Sequence, residues 1–280
     1  MTSVAVLGLG IMGHGIAENF LRQGYDVAVW NRSPEKARDL AARGATMAGS
    51  VADAVDGAEL VFEVTANDES SRAVWFGEDG ILAHAKPDQF LITCATLSVG
   101  FVDELAKMCA ANGLTFFDMP MTGSRPGAEN GQLVLLAGGD EQKLSEVKLH
   151  LGAVASQVKH FGPAGYGMRT KLVLNCLQAV HLAGFGEAMR LAKAFGLDEK
   201  LTGDMLVEKP GGATTQMAWR DYQNYPEPIN FAVELIAKDE AYALKSIDPD
   251  VAPLIAATLA AYQKAIADGH GQDDWTYIVR

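Results

Sequence analysis

Three groups of residues in this 280-residue sequence have types and spacings that could do chemistry. The first is Gly8-Leu9-Gly10-Ile11-Met12-Gly13, which directly follows an apolar run and opens a helix-like segment. Its first glycine suits a tight turn, its second lets a phosphate approach the backbone, and its third lets helix pack on strand. The free N–H groups and partial positive charge of a helix N-terminus would face the anion. Such a pattern alone is often no more than a strand–helix turn; the flanking strand and helix favour a dinucleotide. The second group is Trp30-Asn31-Arg32-Ser33, at the end of the next apolar run. A carboxylate there would grip the 2′-hydroxyl of NAD. Asn31 removes the charge that would repel a 2′-phosphate, Arg32 offers a planar cationic fork, and Ser33 adds a hydroxyl. A solvated turn with an N-cap serine is the plainer alternative; the chemistry favours NADP(H) over NAD(H). The third group is Lys171 and Asn175, four residues apart and so on one helix face, among Leu172, Val173, Leu174, Cys176 and Leu177. On the pattern alone, a surface lysine and a polar asparagine on the outer side of a core helix is the simpler reading, and a catalytic pair is the other.

These residues need elements to hold them. Through the first half, short apolar runs (Val4 to Gly8, Val27 to Asn31, Leu60 to Thr65, Phe90 to Ala95, Thr115 to Pro120, Leu133 to Ala137) alternate with helix-like segments (Ile11 to Gln23, Pro34 to Ala42, Ser98 to Asn112, Glu141 to Gly152). Apolar strands between amphipathic helices predict a parallel sheet covered on both faces. After about Gly162 the pattern changes. Gly165 to Phe195 is one long apolar stretch at helical spacing, and further helices are expected over Glu199 to Leu206, Phe231 to Ser246 and Pro253 to Asp268. Loops are expected around Gly211-Gly212 and Tyr225 to Pro228. The predicted class is α/β: an N-terminal Rossmann dinucleotide-binding domain over residues 1–162, then an all-helical substrate and oligomerisation domain over 163–280, joined by a long inter-domain helix.

Composition narrows the partners. Lys+Arg 23 against Asp+Glu 35 gives a formal net charge of -12, which argues against a nucleic-acid surface. It leaves room for a small anionic substrate held by a few local cations. A hydrophobic fraction of 49% excludes a disordered chain. Cys94, Cys109 and Cys176 have no paired spacing, so neither a disulfide framework nor a zinc site is expected and a reducing cytoplasm is. No basic leader opens the chain, and no apolar run is expected to span a bilayer. The six histidines show no ligand spacing, Asp273-Asp274 reads as a solvated acidic pair, and no metal is expected. Met119, Met121 and Met168 either line a pocket or fill the core.

Taken together, Gly8 to Arg32, Asp118-Met119-Pro120-Met121-Thr122-Gly123-Ser124, Gly127 to Leu133, Gly165-Tyr166-Gly167 with Lys171 and Asn175, and Phe231 with Leu235 and Lys238-Asp239 resemble the β-hydroxyacid dehydrogenase family. The resemblance covers nearly the whole chain, and Thr122 to Ser124 with Ala128 to Leu133 looks most like its glyoxylate/succinic semialdehyde reductase branch. It implies Lys171 as the catalytic lysine and Asn175 as the amide that orients substrate. Thr122, Gly123 and Ser124 would hold the substrate carboxylate, and Phe231 and Asp239 would line its pocket. The cofactor side would be made by Gly8 to Gly13, Asn31, Arg32, Ser33, the loop Val64-Thr65-Ala66, Thr96 and Lys238, and the chain would form dimers or tetramers. Two positions depart from the family: Thr122 stands where serine is usual, and Leu174 where a first asparagine precedes the second. Hydride addition to a carbonyl builds negative charge on oxygen, which a positioned ammonium stabilises and protonates. A lysine of ordinary pKa near ~10.4 is protonated at neutral pH and suits the reduction direction. Two alternatives share the fold, an imine reductase and a non-catalytic NADP-binding scaffold; Lys171 argues against both.

Overall fold

A computed structural model gives the architecture and describes residues 2–208, 212–246 and 253–280, so Gly211 of the expected loop lies outside the described residues. By internal contacts the chain divides into Met1–Lys171 and Leu172–Arg280. The sequence pattern changes ahead of the long helix, whereas the contacts divide inside it, because its first turns pack on the sheet.

The first unit is built on a nine-stranded sheet: β1 (Ser3–Leu7), β2 (Asp26–Trp30), β3 (Thr46–Met47), β4 (Leu60–Glu63), β5 (Phe90–Thr93), β6 (Thr115–Asp118), β7 (Met121–Thr122), β8 (Leu133–Gly138) and β9 (Ala155–Gly162). Its order is β3-β2-β1-β4-β5-β6-β8-β7, with β9 also paired to β8. The helices are α1 (Ile11–Arg22), α2 (Arg38–Ala42), α3 (Val51–Val55), α4 (Asp68–Phe76), α5 (Ile81–His84), α6 (Val99–Ala111), α7 (Ser124–Glu129) and α8 (Glu141–Leu151). Side chains alternate across β1, so Val4 and Val6 pack with Ile16 and Phe20 of α1, while Ala5 and Leu7 pack with the layer holding Val102 and Leu105 of α6. Both faces are therefore covered, as the apolar runs require.

The expectation of a parallel sheet needs one correction. β1 to β6 pair in parallel, but β8 runs antiparallel to both β6 and β7. After β6 the chain runs on in the same direction as β7, and α7 then turns it back into β8. Sequence periodicity also missed β9. Its exposed polar residues, Ser156, Gln157 and Lys159 among them, conceal an edge strand.

The long stretch is a single helix, α9 (Tyr166–Ala194), followed by α10 (Glu199–Glu208), α11 (Ala213–Gln223), α12 (Val233–Leu244) and α13 (Pro253–Ala265). In the second unit, Ala179, Leu182, Phe185 and Met189 of α9 pack with Trp219, Ile236, Tyr262 and Trp275. One expectation is corrected here: α9 is long and apolar enough to cross a bilayer by length and composition, with 44% of its apolar window buried inside the protein. A core helix passes the same test. A second correction concerns Asp274, which is not solvated but fully buried. Its carboxylate accepts from Asn230 N at 2.7 Å and from the Thr276 hydroxyl at 2.7 Å, closing the C-terminal segment onto the chain ahead of α12. The three cysteines are buried and free. Burial pushes the thiols of Cys109 and Cys176 up to about 12.

Candidate active site

The glycine loop is shaped by contacts that a side chain would break. A Cβ on Gly13 would stand 1.9 Å from the Gly8 carbonyl oxygen, and one on Gly8 (φ +102°) would stand 2.6 Å from Val64 O. A Cβ on Gly10 would meet nothing within 4 Å. Gly10 opens α1 with no side-chain cap, and Ile11 and Met12 form its half-buried first turn. The first-turn N–H groups are thus left to a ligand. Asn31 has a part that its residue type did not announce: its Oδ1 accepts from Leu9 N at 2.9 Å and its amide donates to Ser33 O at 3.0 Å. It straps the end of β2 to the glycine loop. Arg32 is exposed beside it, and Ser33 is half-buried. A cleft of about 610 Å³ runs along the loop, lined by Leu9, Gly10, Ile11, His14, Arg22 and Arg125 among others.

The loops after β4 and β5 complete this edge of the sheet. Val64 is buried, Ala66 is exposed and Thr96 is half-buried. The Thr65 hydroxyl is buried and has no hydrogen-bond partner among the described residues. An orphaned buried donor is costly, and together with the open space over Gly10 it fits a bound dinucleotide.

Thr122 ends β7, paired with Val134, and the chain then turns through Gly123 (φ +126°) and Ser124 (φ +52°). A non-glycine residue in the left-handed region is strained, and such strain gathers at ligand-binding turns. Nearby, α9 is locked to the sheet. Gly167 sits so close that a Cβ would lie 2.1 Å from Leu136 O, while Asp118 at the end of β6 accepts from Gly165 N and Met168 N, both at 2.6 Å. Burial pushes the Asp118 carboxyl up to about 7 against the pull of those two donors. Lys171 follows one turn later and is only 9% exposed, so the solvated-lysine reading does not hold. Met119, Met121 and Met168 are all buried core residues.

In the second unit, Asn175 is buried on α9 and its amide donates to Asp239 Oδ2 on α12 at 2.6 Å. Asp239 is fully buried, and its other oxygen lies 3.2 Å from the Lys238 ammonium. The structure thus brings Asn175, Lys238 and Asp239 into one chain of contacts. Phe231 is half-buried, edge-on to Trp275 at 5.6 Å. Among the described residues, residue typing missed five buried carboxylates, those of Glu63, Asp118, Asp221, Glu240 and Asp274. An acid inside an apolar strand, as in Phe62-Glu63-Val64 and Phe117-Asp118-Met119, was the available signal, since such burial demands donors. Among the described residues no cluster of ligands could hold a metal.

A doubly wound sheet with this glycine loop, followed by a helical unit, defines a dinucleotide-binding protein. Residues 3–162 match the family described as the NAD binding domain of 6-phosphogluconate dehydrogenase. Residues 165–280 match the family described as NAD-binding of NADP-dependent 3-hydroxyisobutyrate dehydrogenase. The chain belongs to the β-hydroxyacid dehydrogenase family. It is 28% identical to the NAD-dependent L-serine dehydrogenase of Pseudomonas aeruginosa, across 99% of this chain and 97% of that one. It is 32% identical to an uncharacterized oxidoreductase of Shewanella frigidimarina, across 87% and 84%. Among solved structures, the 3-hydroxyisobutyrate dehydrogenase of Mycobacterium tuberculosis with L-serine superposes at a TM-score of 0.89 with 27% identity, covering 100% of this chain and 98% of that one.

Proposed function

We propose that this chain is an NADPH-dependent reductase that converts small aldehyde acids, such as glyoxylate or succinic semialdehyde, to hydroxy acids. The observation that carries this reading is Lys171, a buried amine one turn beyond a helix start anchored to the sheet by Asp118 and Gly167. Bound NADPH supplies the hydride. Lys171 meets the negative charge on the carbonyl oxygen and gives it a proton. Asn175, whose amide nitrogen is fixed by Asp239, would orient the substrate without adding net charge. Hydroxyls and backbone N–H groups of Thr122, Gly123 and Ser124 hold the carboxylate, and Phe231 bounds the pocket. Lys238, with Thr65, Thr96 and the glycine loop, faces the cofactor. Arg32 takes the 2′-phosphate, which Asn31, bearing no charge, leaves unopposed. The methyl of Thr122 narrows the pocket relative to serine and supports a small substrate. We further propose a homodimer or homotetramer working in the cytoplasm.

The test is a panel of steady-state rates. NADPH and NADH oxidation are measured with glyoxylate, succinic semialdehyde and a cyclic imine, and NADP+ and NAD+ reduction with 3-hydroxyisobutyrate, L-serine and L-threonate, in wild type and Lys171→Ala. Aldehyde acids with NADPH should be turned over fastest, and the variant should lose about 10²–10⁴-fold in kcat with nucleotide affinity retained. A variant as fast as wild type would remove Lys171 from the chemistry; a faster reaction with a hydroxy acid and NAD+ would replace the substrate and cofactor assignment.

A further inference from the structure

The buried carboxylate of Glu63 plays no part in the reading above, yet it lies at the C-terminal end of β4, directly beneath the loop Val64-Thr65-Ala66. It has no exposed surface. Its Oε1 accepts from Thr65 N at 2.9 Å; its Oε2 accepts from the Thr93 hydroxyl at 2.5 Å and from the Trp75 indole N–H at 3.4 Å. One side chain therefore joins the loop after β4, the last residue of β5 and helix α4. The Thr65 N–H and the Trp75 N–H can only donate, so both oxygens must accept. The residue whose backbone it grips is Thr65, whose hydroxyl is buried without a partner among the described residues. Thr93, in turn, precedes the Cys94-Ala95-Thr96 turn on the cofactor side.

We infer that Glu63 is a positioning residue for the cofactor: it fixes the loops after β4 and β5 so that the Thr65 hydroxyl is presented to the nicotinamide half of the dinucleotide. The sheet order separates the two halves. In a doubly wound sheet the strands β1 to β3 form one mononucleotide-binding half and β4 to β6 the other, and although the Glu63 backbone pairs with Leu7 of β1, the hydrogen bonds of its side chain all fall in the second. Its influence should then be confined to that half. The inference rests on the dinucleotide-binding reading, and the experiment separates the two.

The dissociation constants of NADPH and of 2′-phospho-ADP-ribose, which lacks the nicotinamide ring, are measured by calorimetry for wild type, Glu63→Gln and Thr93→Val. NADH and ADP-ribose form the matching pair without the 2′-phosphate. Glutamine keeps the shape of the side chain but turns an NH₂ toward a group that can only donate, in either orientation of its amide. Glu63→Gln should weaken NADPH by about ten-fold or more and leave 2′-phospho-ADP-ribose within two-fold of wild type, a split that general destabilisation would not give. Thr93→Val should shift the same way by a smaller factor, and it supplies the same comparison where Glu63→Gln does not fold. Equal weakening of both ligands, or of neither, would overturn the positioning role. Wild type binding none of the four nucleotides would instead overturn the dinucleotide-binding reading itself.

Discussion

The carboxylate of Asp118 accepts the backbone N–H of Met168 at 2.6 Å, and with it that of Gly165. These are groups at the start of α9 that have no partner within the helix. A residue at the end of β6 thereby fixes the helix one turn ahead of Lys171. Asp118→Ala removes both acceptors and leaves two N–H groups buried, at a cost of about 2–4 kcal/mol. That should lower Tm by roughly 5–10 °C, read by calorimetry, and reduce kcat more than it changes nucleotide affinity. A variant with unchanged Tm would show that the helix start is held by other contacts.

Stability should fall as pH rises through neutrality. Burial lifts Asp118 to about 7, and burial followed by the neighbouring Asp239 lifts Glu240 to about 8. Both folded values lie above the ordinary carboxylate range near ~4. The folded state therefore holds these protons more tightly than the unfolded chain does. The stability they contribute is complete below the unfolded carboxylate pKa near ~4 and is lost as pH rises from there through each folded pKa, by about 1.4 kcal/mol per pH unit for each group, with no further loss above it. Both Glu240 oxygens lack hydrogen-bond partners among the described residues, so nothing offsets ionisation there. Urea midpoints of wild type should drop between about pH 4 and pH 8 and level off above that, and Glu240→Gln should flatten the upper part of that drop. Parallel curves for the two proteins would refute the assignment to Glu240.

Cofactor choice should turn on Arg32. It is exposed at the end of β2, while Asn31 beside it is committed to Leu9 and Ser33. Arg32→Ala should raise KM for NADPH by about 10–100-fold, the worth of a charge-assisted phosphate contact, and change KM for NADH by less than about three-fold. Equal losses with the two nucleotides would show that Arg32 does not read the 2′-phosphate.

Self-association should follow the outer face of α9. Val173 and Leu177, one turn apart, are 72% and 54% exposed, and Phe195 at the end of the same stretch is 70% exposed. Large apolar groups clustered at helical spacing on a surface mark an interface. Light scattering should report a dimer or tetramer for wild type and a monomer for Val173→Glu/Leu177→Glu. A wild-type monomer at micromolar concentration would end that expectation.

What could be read in advance was what repeats or has a fixed geometric purpose. The strand–glycine–helix succession at Val4 to Gln23 announced β1, the loop and α1, because alternation of apolar period and the placing of glycines are local properties. The uninterrupted apolar spacing from Gly165 to Phe195 announced α9 for the same reason. What was not legible depends on contacts distant in sequence. The antiparallel direction of β8 depends on its pairing with β7 across the intervening α7. The duty of Asn31 as a strap depends on the Leu9 N–H lying across the turn. Of the candidate site, Lys171 and Asn175 stood out as polar residues on one helix face in an apolar stretch and through the family resemblance, and their burial removes the solvated alternative. Asp274 read as solvated because an isolated carboxylate belongs in water, and Glu63 and Asp118 drew no reading of their own; each is buried and accepts from donors beyond its own position.

The buried thiols give the chain an internal gauge. Cys94 and Cys109 lie in the first unit and Cys176 in the second, all nearly sealed from solvent. A thiol reagent reacts only with thiolate it can reach, so the alkylation rate at each sulfur reports how often its surroundings open. Mass spectrometry of pulse-labelled protein would then rank the local breathing of sheet and helical bundle separately, in one tube, without introducing a single foreign probe.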